Sequence, residues 1–275
     1  MHSSDDLGPV FEVEATRYSS EGAAPVAVSV PTEVPLTVVA NDVEVATLLC
    51  TPTDLECLVA GFLFSAGVIR SAGEIHGCRI DPVRWVAVCE LERTPDVALL
   101  DKRVYTTGCG KGVMFANVVE LAARRPLESA LRVSPGQILK LAAALQGASP
   151  VYRRTRGVHT AALSIGGELP GRWFDDVGRH NAVDKVIGDG LSRSVDFGRG
   201  VLITSGRTSS EILQKARRAG IPVCVSRSVP THQSVLRARD MGVTLIGQAR
   251  GGGFVVYSHG DRIAPAGTAP GGPPG

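Results

Sequence analysis

The hydrophobic positions in the first half of the chain change from strand-like to helix-like spacing. Between residues 25 and 50, runs rich in valine, leucine and threonine are interrupted at Asn41 and Asp42, which predicts short strands joined by a turn. Leucine, valine and phenylalanine then recur every three or four positions, so a buried helix is predicted over residues 54–66. A second helix is predicted to begin after Ser134, which can cap its N-terminus.

Strands and helices alternate in the second half of the chain. The segments VLITS, SSEILQKARRAG, VCVS, THQSVLRARDMG and VTLIG follow one another at the spacing of βαβ units, which predicts an α/β fold with a largely parallel, buried sheet. We therefore expect a nucleotide- or cofactor-binding βαβ core over residues 151–260, preceded by an α+β portion over residues 25–150. The first 24 residues and the Pro/Gly-rich residues 261–275 are predicted to be mobile tails.

Each of these predicted strands is followed by a loop that carries one arginine among small or hydroxyl residues. The three arginines are Arg207, Arg227 and Arg250, and Ser205 opens the first loop. Loops at the carboxyl ends of parallel strands lie on one edge of a sheet, so these side chains are expected to face one crevice. Helix N-termini and the glycines at 251–253 would suit a phosphate at that edge. A single arginine is usually a solvated loop residue, but three in register favour a site for a phosphate-rich anion, such as a nucleotide.

Composition excludes several classes of protein. Of the 275 residues, 44% are hydrophobic and 20% are charged, and the formal net charge is +2. These values are typical of a globular enzyme, and they provide no overall field that would attract nucleic acid or a membrane surface. No secretory signal and no apolar run of membrane-spanning length is recognisable. The six cysteines include no CxxC pair, so we expect a reduced, cytoplasmic protein without a disulfide scaffold.

One cysteine, Cys109, stands out in the sequence TTGCGKG. Metal binding is disfavoured because no other ligand lies within a few residues, and the chain has no HxE with a downstream CxxC. Flanking glycines, Lys111 and a following helix would favour an accessible thiolate, so Cys109 is either a nucleophile or a small residue in a turn. Four other cysteines lie in hydrophobic strand or helix patterns and are predicted to be small buried apolar residues: Cys50, Cys57, Cys89 and Cys224.

A second polar cluster occurs in DDVGRHNAVDKVIG. One interpretation is a capped helix in which His180 pairs with Asp184 one turn later. The other makes Arg179, His180 and Asn181 a site for ligand binding or acid–base chemistry. The residue types favour neither interpretation. His159 precedes an apolar strand and is interpreted as a structural histidine.

Five segments of the chain are distinctive together: TPTDLECLVAGFLFSAGVI, TTGCGKG, DDVGRHNAVDKVIG, SGRTSSEILQKARRAGIPVCVSRSVPT and GVTLIGQARGGGFVVYSH. They closely resemble the FdhD family, the accessory sulfurtransferases of formate dehydrogenase. The match runs from about Pro31 to about His259, with the motifs in the family's order. The resemblance implies a cytidine-deaminase-like three-layer α/β/α sandwich without the deaminase zinc site, plus a smaller domain. It also implies a homodimer.

The function implied by the resemblance is that of a sulfur carrier. Such a protein takes persulfide sulfur from a cysteine desulfurase and passes it to the molybdenum cofactor, in its bis-molybdopterin guanine dinucleotide form, before insertion into formate dehydrogenase. Cys109 matches the first cysteine of the family's CGxCG loop and would carry the persulfide. Gly112 stands at the place of the second cysteine, so sulfur would be handled on a single thiol.

The resemblance also assigns the cofactor-binding segment. Family members commonly begin this segment with an aromatic residue and end it with arginine, whereas this chain has Gln248 and Gly253 there. The implied cofactor-binding residues are Gln248, Ala249, Arg250, Gly251, Gly252 and Gly253, together with Ser205, Arg207 and Arg227. Two rival functions stay open. The first is a non-catalytic cofactor chaperone, favoured by the missing second cysteine, and the second is a deaminase-like hydrolase, against which the absent zinc ligands argue.

Overall fold

The structure is a computed structural model that describes residues 7–95 and 125–264, together with two short strands between these ranges. The strands before residue 125 are β1 (Val10–Ser19), β2 (Gly22–Pro31), β3 (Val34–Ala40), β4 (Val43–Cys50), β5 (Ile75–Asp81), β6 (Val86–Leu91), β7 (Arg103–Val104) and β8 (Met114–Phe115). The later strands are β9 (His159–Ile165), β10 (Phe174–Asp176), β11 (Gly200–Thr204), β12 (Val223–Ser226), β13 (Thr244–Arg250) and β14 (Gly253–Ser258). The helices are α1 (Leu55–Ala66), α2 (Pro135–Ala148), α3 (Pro150–Thr155), α4 (Arg179–Ser192), α5 (Ser210–Ala219) and α6 (His232–Met241).

The central sheet has six strands in the order β10-β9-β11-β12-β13-β14. Strands β11, β12 and β13 are parallel, as their alternation with helices predicts. The other three pairings are antiparallel, so the expectation of a largely parallel sheet is wrong and the sheet is mixed. The reason is visible at β13 and β14, where the two-residue turn Gly251-Gly252, with positive φ at both positions, returns the chain directly as a hairpin.

Helices cover both faces of the central sheet. Alternate residues of a strand point to opposite faces, and in β11 Val201 and Ile203 pack in the cluster around α2. Leu202, between them, packs with α1, α4 and α5 on the other face. The sheet therefore lies between two helical layers, while the likeness of this arrangement to cytidine deaminases stays a prediction.

A smaller sheet, in the order β4-β3-β6-β5, consists of strands that precede those of the central sheet in the sequence. Its inward-facing residues, among them Leu36, Val38 and Ala87, join the same buried cluster as α1 and α4. The two sheets thus share one hydrophobic core. No helix in residues 7–95 or 125–264 is long and apolar enough to cross a membrane.

Three expectations about the limits of the domains are wrong. Strand β1 pairs with β2 along its whole length, although residues 10–19 were expected in a tail, because their exposed, polar-rich sequence carries a weak hydrophobic pattern. Helix α2 covers the central sheet, so residue 150 is not a domain boundary; an amphipathic pattern does not reveal which sheet a helix covers. Arg262, in the predicted C-terminal tail, is only 4% exposed.

Helices α1 and α4 approach each other through two glycines. A methyl group added at Gly61 would overlap the backbone carbonyl of Asp184, and one added at Gly188 would overlap the backbone carbonyl of Cys57. Only residues without a Cβ allow the two backbones to lie this close. The contact therefore fixes the position of α1, and with it the small sheet, on the central core.

The substitution Gly61→Ala should destabilise the fold by about 3 kcal/mol, because the two helix backbones must move apart and the core around them must repack. Gly147→Ala is the matched control. Gly147 lies near the end of α2 with no atom close to its missing side chain, so alanine there should stabilise the helix by about 0.5 kcal/mol. Equilibrium urea unfolding measures both changes. An unfolding midpoint of Gly61→Ala equal to that of the wild type would contradict the close helix contact.

Candidate functional site

A cleft of about 530 Å³ opens where β11, β12 and β13 end and β9 begins. Its walls consist of Leu145, Gln146, Ser149, Tyr152, Arg156, Gly157, Val158, His159, Thr160, Ser205, Arg227, Ser228 and Arg250. Three of the predicted site residues are among them: Ser205, Arg227 and Arg250. The topology therefore brings together loops that are far apart in sequence, as expected for the carboxyl edge of parallel strands.

Arg207, the remaining arginine of the three that were predicted, is exposed and does not line the cleft. It lies close enough to His159 to help lower the pKa of that histidine. Arg156 takes a place at the cleft instead. It has positive φ just after α3, and its guanidinium lies over the Tyr152 ring, 5.3 Å from the ring centre. The basic sequence RRTRG before His159 was the only signal for this residue, since α3 was not predicted as part of the site.

The segment from residue 248 to residue 253 contributes mainly through Arg250. Ala249 is fully buried in the core beneath α2, so its side chain is not available to a ligand, contrary to the expectation for the whole segment. Gln248 has positive φ, and its amide donates to the Tyr257 hydroxyl at 2.8 Å. Gly251 and Gly252 form the turn that follows Arg250. These residues shape the end of the hairpin and place Arg250 at the cleft.

His159 lines the cleft as a neutral imidazole. Burial lowers its pKa, and the neighbouring guanidinium groups of Arg179 and Arg207 lower it further. Its Nδ1 lies 3.4 Å from the Ser205 hydroxyl, which also accepts a hydrogen bond from the Thr160 backbone at 3.0 Å. The interpretation of His159 as purely structural is therefore incomplete, because the residue holds Ser205 and belongs to the cleft wall.

A carboxylate behind the cleft joins α3 to the sheet. The two oxygens of Asp175 accept hydrogen bonds from the hydroxyls of Ser149 and Thr160. Ser149 also caps α3, because its hydroxyl accepts a hydrogen bond from the Tyr152 backbone at 2.8 Å. This arrangement fixes the wall that carries Tyr152 and Arg156, and it directs the negative charge of Asp175 toward donors rather than into the cleft.

The cluster of charges in DDVGRHNAVDKVIG is largely structural. Asp176 and Lys185 form a fully buried ion pair at 2.8 Å. The Lys185 ammonium also donates to the backbone carbonyls of Thr51 and Asp175, and the Asn181 amide donates to Asp176. This network ties the start of α4 to the segment between β4 and α1.

His180 takes part in a second buried network. The predicted ion pair of His180 with Asp184 is wrong, because Asp184 pairs instead with Lys215 on α5. The Nε2 atom of His180 lies 3.1 Å from the Ser209 hydroxyl and 3.3 Å from the Glu211 carboxylate. The structure therefore brings His180 to the start of α5, and not into the cleft.

Comparison with known proteins agrees with these features. Residues 31–264 match the sequence family that is described as the FdhD/NarQ family. The chain belongs to the FdhD/NarQ family. The resemblance to FdhD proteins that the motifs indicated is thereby confirmed.

Individual members of the FdhD/NarQ family match most of the chain. The sulfur carrier protein FdhD of Staphylococcus haemolyticus is 41% identical over 239 residues, which cover 84% of this chain and 88% of that protein. The protein of the same name from Staphylococcus aureus strain MRSA252 is 41% identical over 237 residues, with the same coverage. The crystal structure of a protein named as a formate dehydrogenase accessory protein, from Desulfotalea psychrophila, matches with a TM-score of 0.77 and 26% identity, covering 93% of this chain and 99% of that one.

Cys109, which is predicted to carry the persulfide, lies outside the described residues together with Lys111 and Gly112. Its role therefore stays a prediction. In the described ranges of this FdhD/NarQ chain, no three His, Cys, Asp or Glu side chains form a group that could hold a metal ion.

His180 is held in its neutral form. Burial lowers its pKa to about 2, and the nearby cations Lys215 and Arg179 contribute to the shift. The Glu211 carboxylate, 3.3 Å from the Nε2 atom of His180, also lies 3.6 Å from the Lys215 ammonium. The unfolded chain, in which a histidine titrates near pH 6.5, takes up a proton that the folded chain does not accept until far lower pH.

The free energy of unfolding should therefore fall as the pH is lowered from 7 to 5, with His180 contributing about 1–2 kcal/mol to the decrease. His180→Gln removes this contribution and should make the pH dependence shallower by that amount. Urea unfolding at the two pH values provides the measurement. His232→Gln, at an exposed histidine, is the control and should keep the wild-type dependence. Parallel curves for His180→Gln and the wild type would show that His180 is not held neutral.

Proposed function

We propose that this chain is a sulfur carrier that supports the maturation of formate dehydrogenase. In this proposal it takes persulfide sulfur from a cysteine desulfurase and hands it to the molybdenum cofactor in its bis-guanine dinucleotide form. Membership of the FdhD/NarQ family supports the proposal, as do the names of its relatives, sulfur carrier protein FdhD and formate dehydrogenase accessory protein.

The observation that carries the proposal is the charge of the cleft. Its described lining includes Arg156, Arg227 and Arg250, with a neutral His159 and no carboxylate. The whole chain has a net charge of only +2, so this positive charge is a local feature. Guanidinium groups bind phosphate oxygens through paired N–H donors, which suits the diphosphate of a guanine dinucleotide.

The other lining residues fit the rest of a nucleotide. The volume of about 530 Å³ lies within the range of roughly 300–1,000 Å³ that is common for small-molecule sites. Ser205 and Ser228 line the cleft together with the arginines, and Tyr152, which is 38% exposed and stacks with the Arg156 guanidinium, adds an aromatic group to the wall for contact with a base. The cleft therefore suits one nucleoside diphosphate portion of the cofactor.

The sulfur step in this proposal belongs to Cys109. Its thiolate attacks the outer sulfur of the donor's cysteine persulfide; the donor cysteine leaves as a thiolate, and Cys109 becomes the persulfide. The step transfers one sulfur atom and involves no net oxidation or reduction. Gly112 offers no second thiol, so the sulfur stays on Cys109 until it is delivered.

A non-catalytic chaperone that only binds the cofactor is the second candidate. The presence of Gly112 at the position of the family's second cysteine favours it. Both candidates require the basic cleft, but only sulfur transfer requires the Cys109 thiol. Arginine variants therefore test the cleft that both candidates share, and a Cys109 variant separates the two candidates.

The first prediction concerns the cleft. Arg227→Ala and Arg250→Ala should each weaken the binding of guanosine diphosphate about tenfold, because each loses a charge-assisted hydrogen bond to phosphate. Isothermal titration calorimetry measures the affinity. Arg84→Ala is the control, since the Arg84 side chain is 82% exposed on the small sheet and its loss should leave binding unchanged. Equal affinities in all four proteins, or no binding by the wild type, would exclude the cleft as the nucleotide site.

The second prediction concerns the thiol. After incubation with a cysteine desulfurase and cysteine, the wild type should gain one sulfur atom on the Cys109 peptide, and Cys109→Ser should gain none while still binding guanosine diphosphate. Peptide mass spectrometry locates the sulfur, and Cys57→Ser should load like the wild type. If Cys109→Ser still restores formate dehydrogenase activity in a strain that lacks its own accessory factor, the chaperone is the correct function.

A further inference from the structure

Two cysteines of the small sheet face each other across neighbouring strands. Cys78 on β5 is the direct partner of Cys89 on β6 in the antiparallel register. Their sulfur atoms lie 3.1 Å apart, and the Cys89 thiol donates a hydrogen bond to the Cys78 sulfur. Neither residue belongs to the basic cleft, and neither corresponds to Cys109.

The backbone geometry of this pair is suited to a disulfide bond. Directly opposed residues of antiparallel strands have Cα atoms about 4.5 or 5.5 Å apart. Both distances fall within the range of about 4.4–6.8 Å that disulfide bonds span. Rotation of the two side chains can therefore close the bond without movement of the strands.

The two thiols differ in access and in ionisation. Strand β5 is the edge of the small sheet, and Cys78 is partly exposed, whereas Cys89 is 1% exposed. The hydrogen bond from Cys89 lowers the pKa of Cys78, against burial and the nearby Glu56 carboxylate. The same contact and burial raise the pKa of Cys89. Cys78 thus resembles an attacking thiol and Cys89 a resolving thiol.

We propose that Cys78 and Cys89 form a redox site that low-molecular-weight disulfides oxidise reversibly to a cross-strand disulfide. The Cys78 thiolate attacks one sulfur of the small disulfide, whose other half leaves as a thiolate. Cys89 then loses its proton and attacks the Cys78 sulfur, which releases the second half as a thiolate. Two protein thiols are oxidised, the small disulfide is reduced to two thiols, and the two protons pass to the products.

Oxidised glutathione is the probe, applied to the folded, full-length Cys109→Ser protein so that the Cys109 thiol does not compete. The site would act in the same way whatever function the cleft and Cys109 serve. Trypsin cuts after Arg70, Arg79, Arg84 and Arg93, so Cys78 and Cys89 lie in separate peptides, 71–79 and 85–93. Mass spectrometry without reduction should find these two peptides joined, with two hydrogens lost, and dithiothreitol should separate them.

Single variants distinguish this order of events from general thiol oxidation. Cys89→Ser should stop at one glutathione on Cys78, whereas Cys78→Ser should leave the buried Cys89 unmodified. Cys57→Ser should form the cross-link normally, and Cys57, whose pKa burial raises, should react at least tenfold more slowly than Cys78. A folded protein that stays reduced, a cross-link that needs urea, or one that joins other cysteines would overturn the proposal. If a single variant fails to fold, the cross-link in the Cys109→Ser protein without further substitutions still tests the proposal.

Discussion

The buried ion pair of Asp176 and Lys185 is the constraint on which the arrangement of the two sheets depends. Each charge lies out of contact with water, so each is tolerated only because the other is present and because backbone groups complete its hydrogen bonds. Those backbone groups come from Thr51, before α1, and from Asp175 in β10. The pair and its backbone partners therefore tie α4 to the segment between β4 and α1, and the glycines at 61 and 188 allow the helices to close.

The parallel part of the fold was readable from the sequence, whereas its surroundings were not. Buried parallel strands are continuous hydrophobic runs separated by helices, so β11, β12 and β13 leave a local signal. Strand β1 is mostly exposed and leaves almost no such signal, whereas most of its partner β2 lies in the region already predicted to form strands. The placement of α2 over the central sheet depends on residues far away in sequence, such as Val201 and Ile203, and periodicity cannot contain that information.

The residues of the candidate site likewise include some that the sequence predicts and some that it does not. Ser205, Arg227 and Arg250 could be predicted, since the topology of a parallel sheet alone brings its carboxyl-end loops together. Arg156 could not, because its position depends on the cap of α3 and on positive φ after it. Ala249 was assigned to the ligand because of its sequence neighbours, yet an irregularity in the β13–β14 register between Gly247 and Arg250, where Gln248 has positive φ, turns its side chain into the core beneath α2.

The polar residues around the cleft mainly preserve its positive charge. Asp175 is close to the wall, but hydroxyl donors from Ser149 and Thr160 satisfy its carboxylate. His159 stays neutral beside arginines, so it adds a hydrogen-bonding group without a further cation that the core would have to stabilise. A nearly neutral protein can in this way hold three guanidinium groups at one edge, so the attraction of the cleft for an anion does not depend on the net charge of the chain. The thiol that the proposed sulfur transfer requires must then come from outside these walls, because the described lining contains no cysteine.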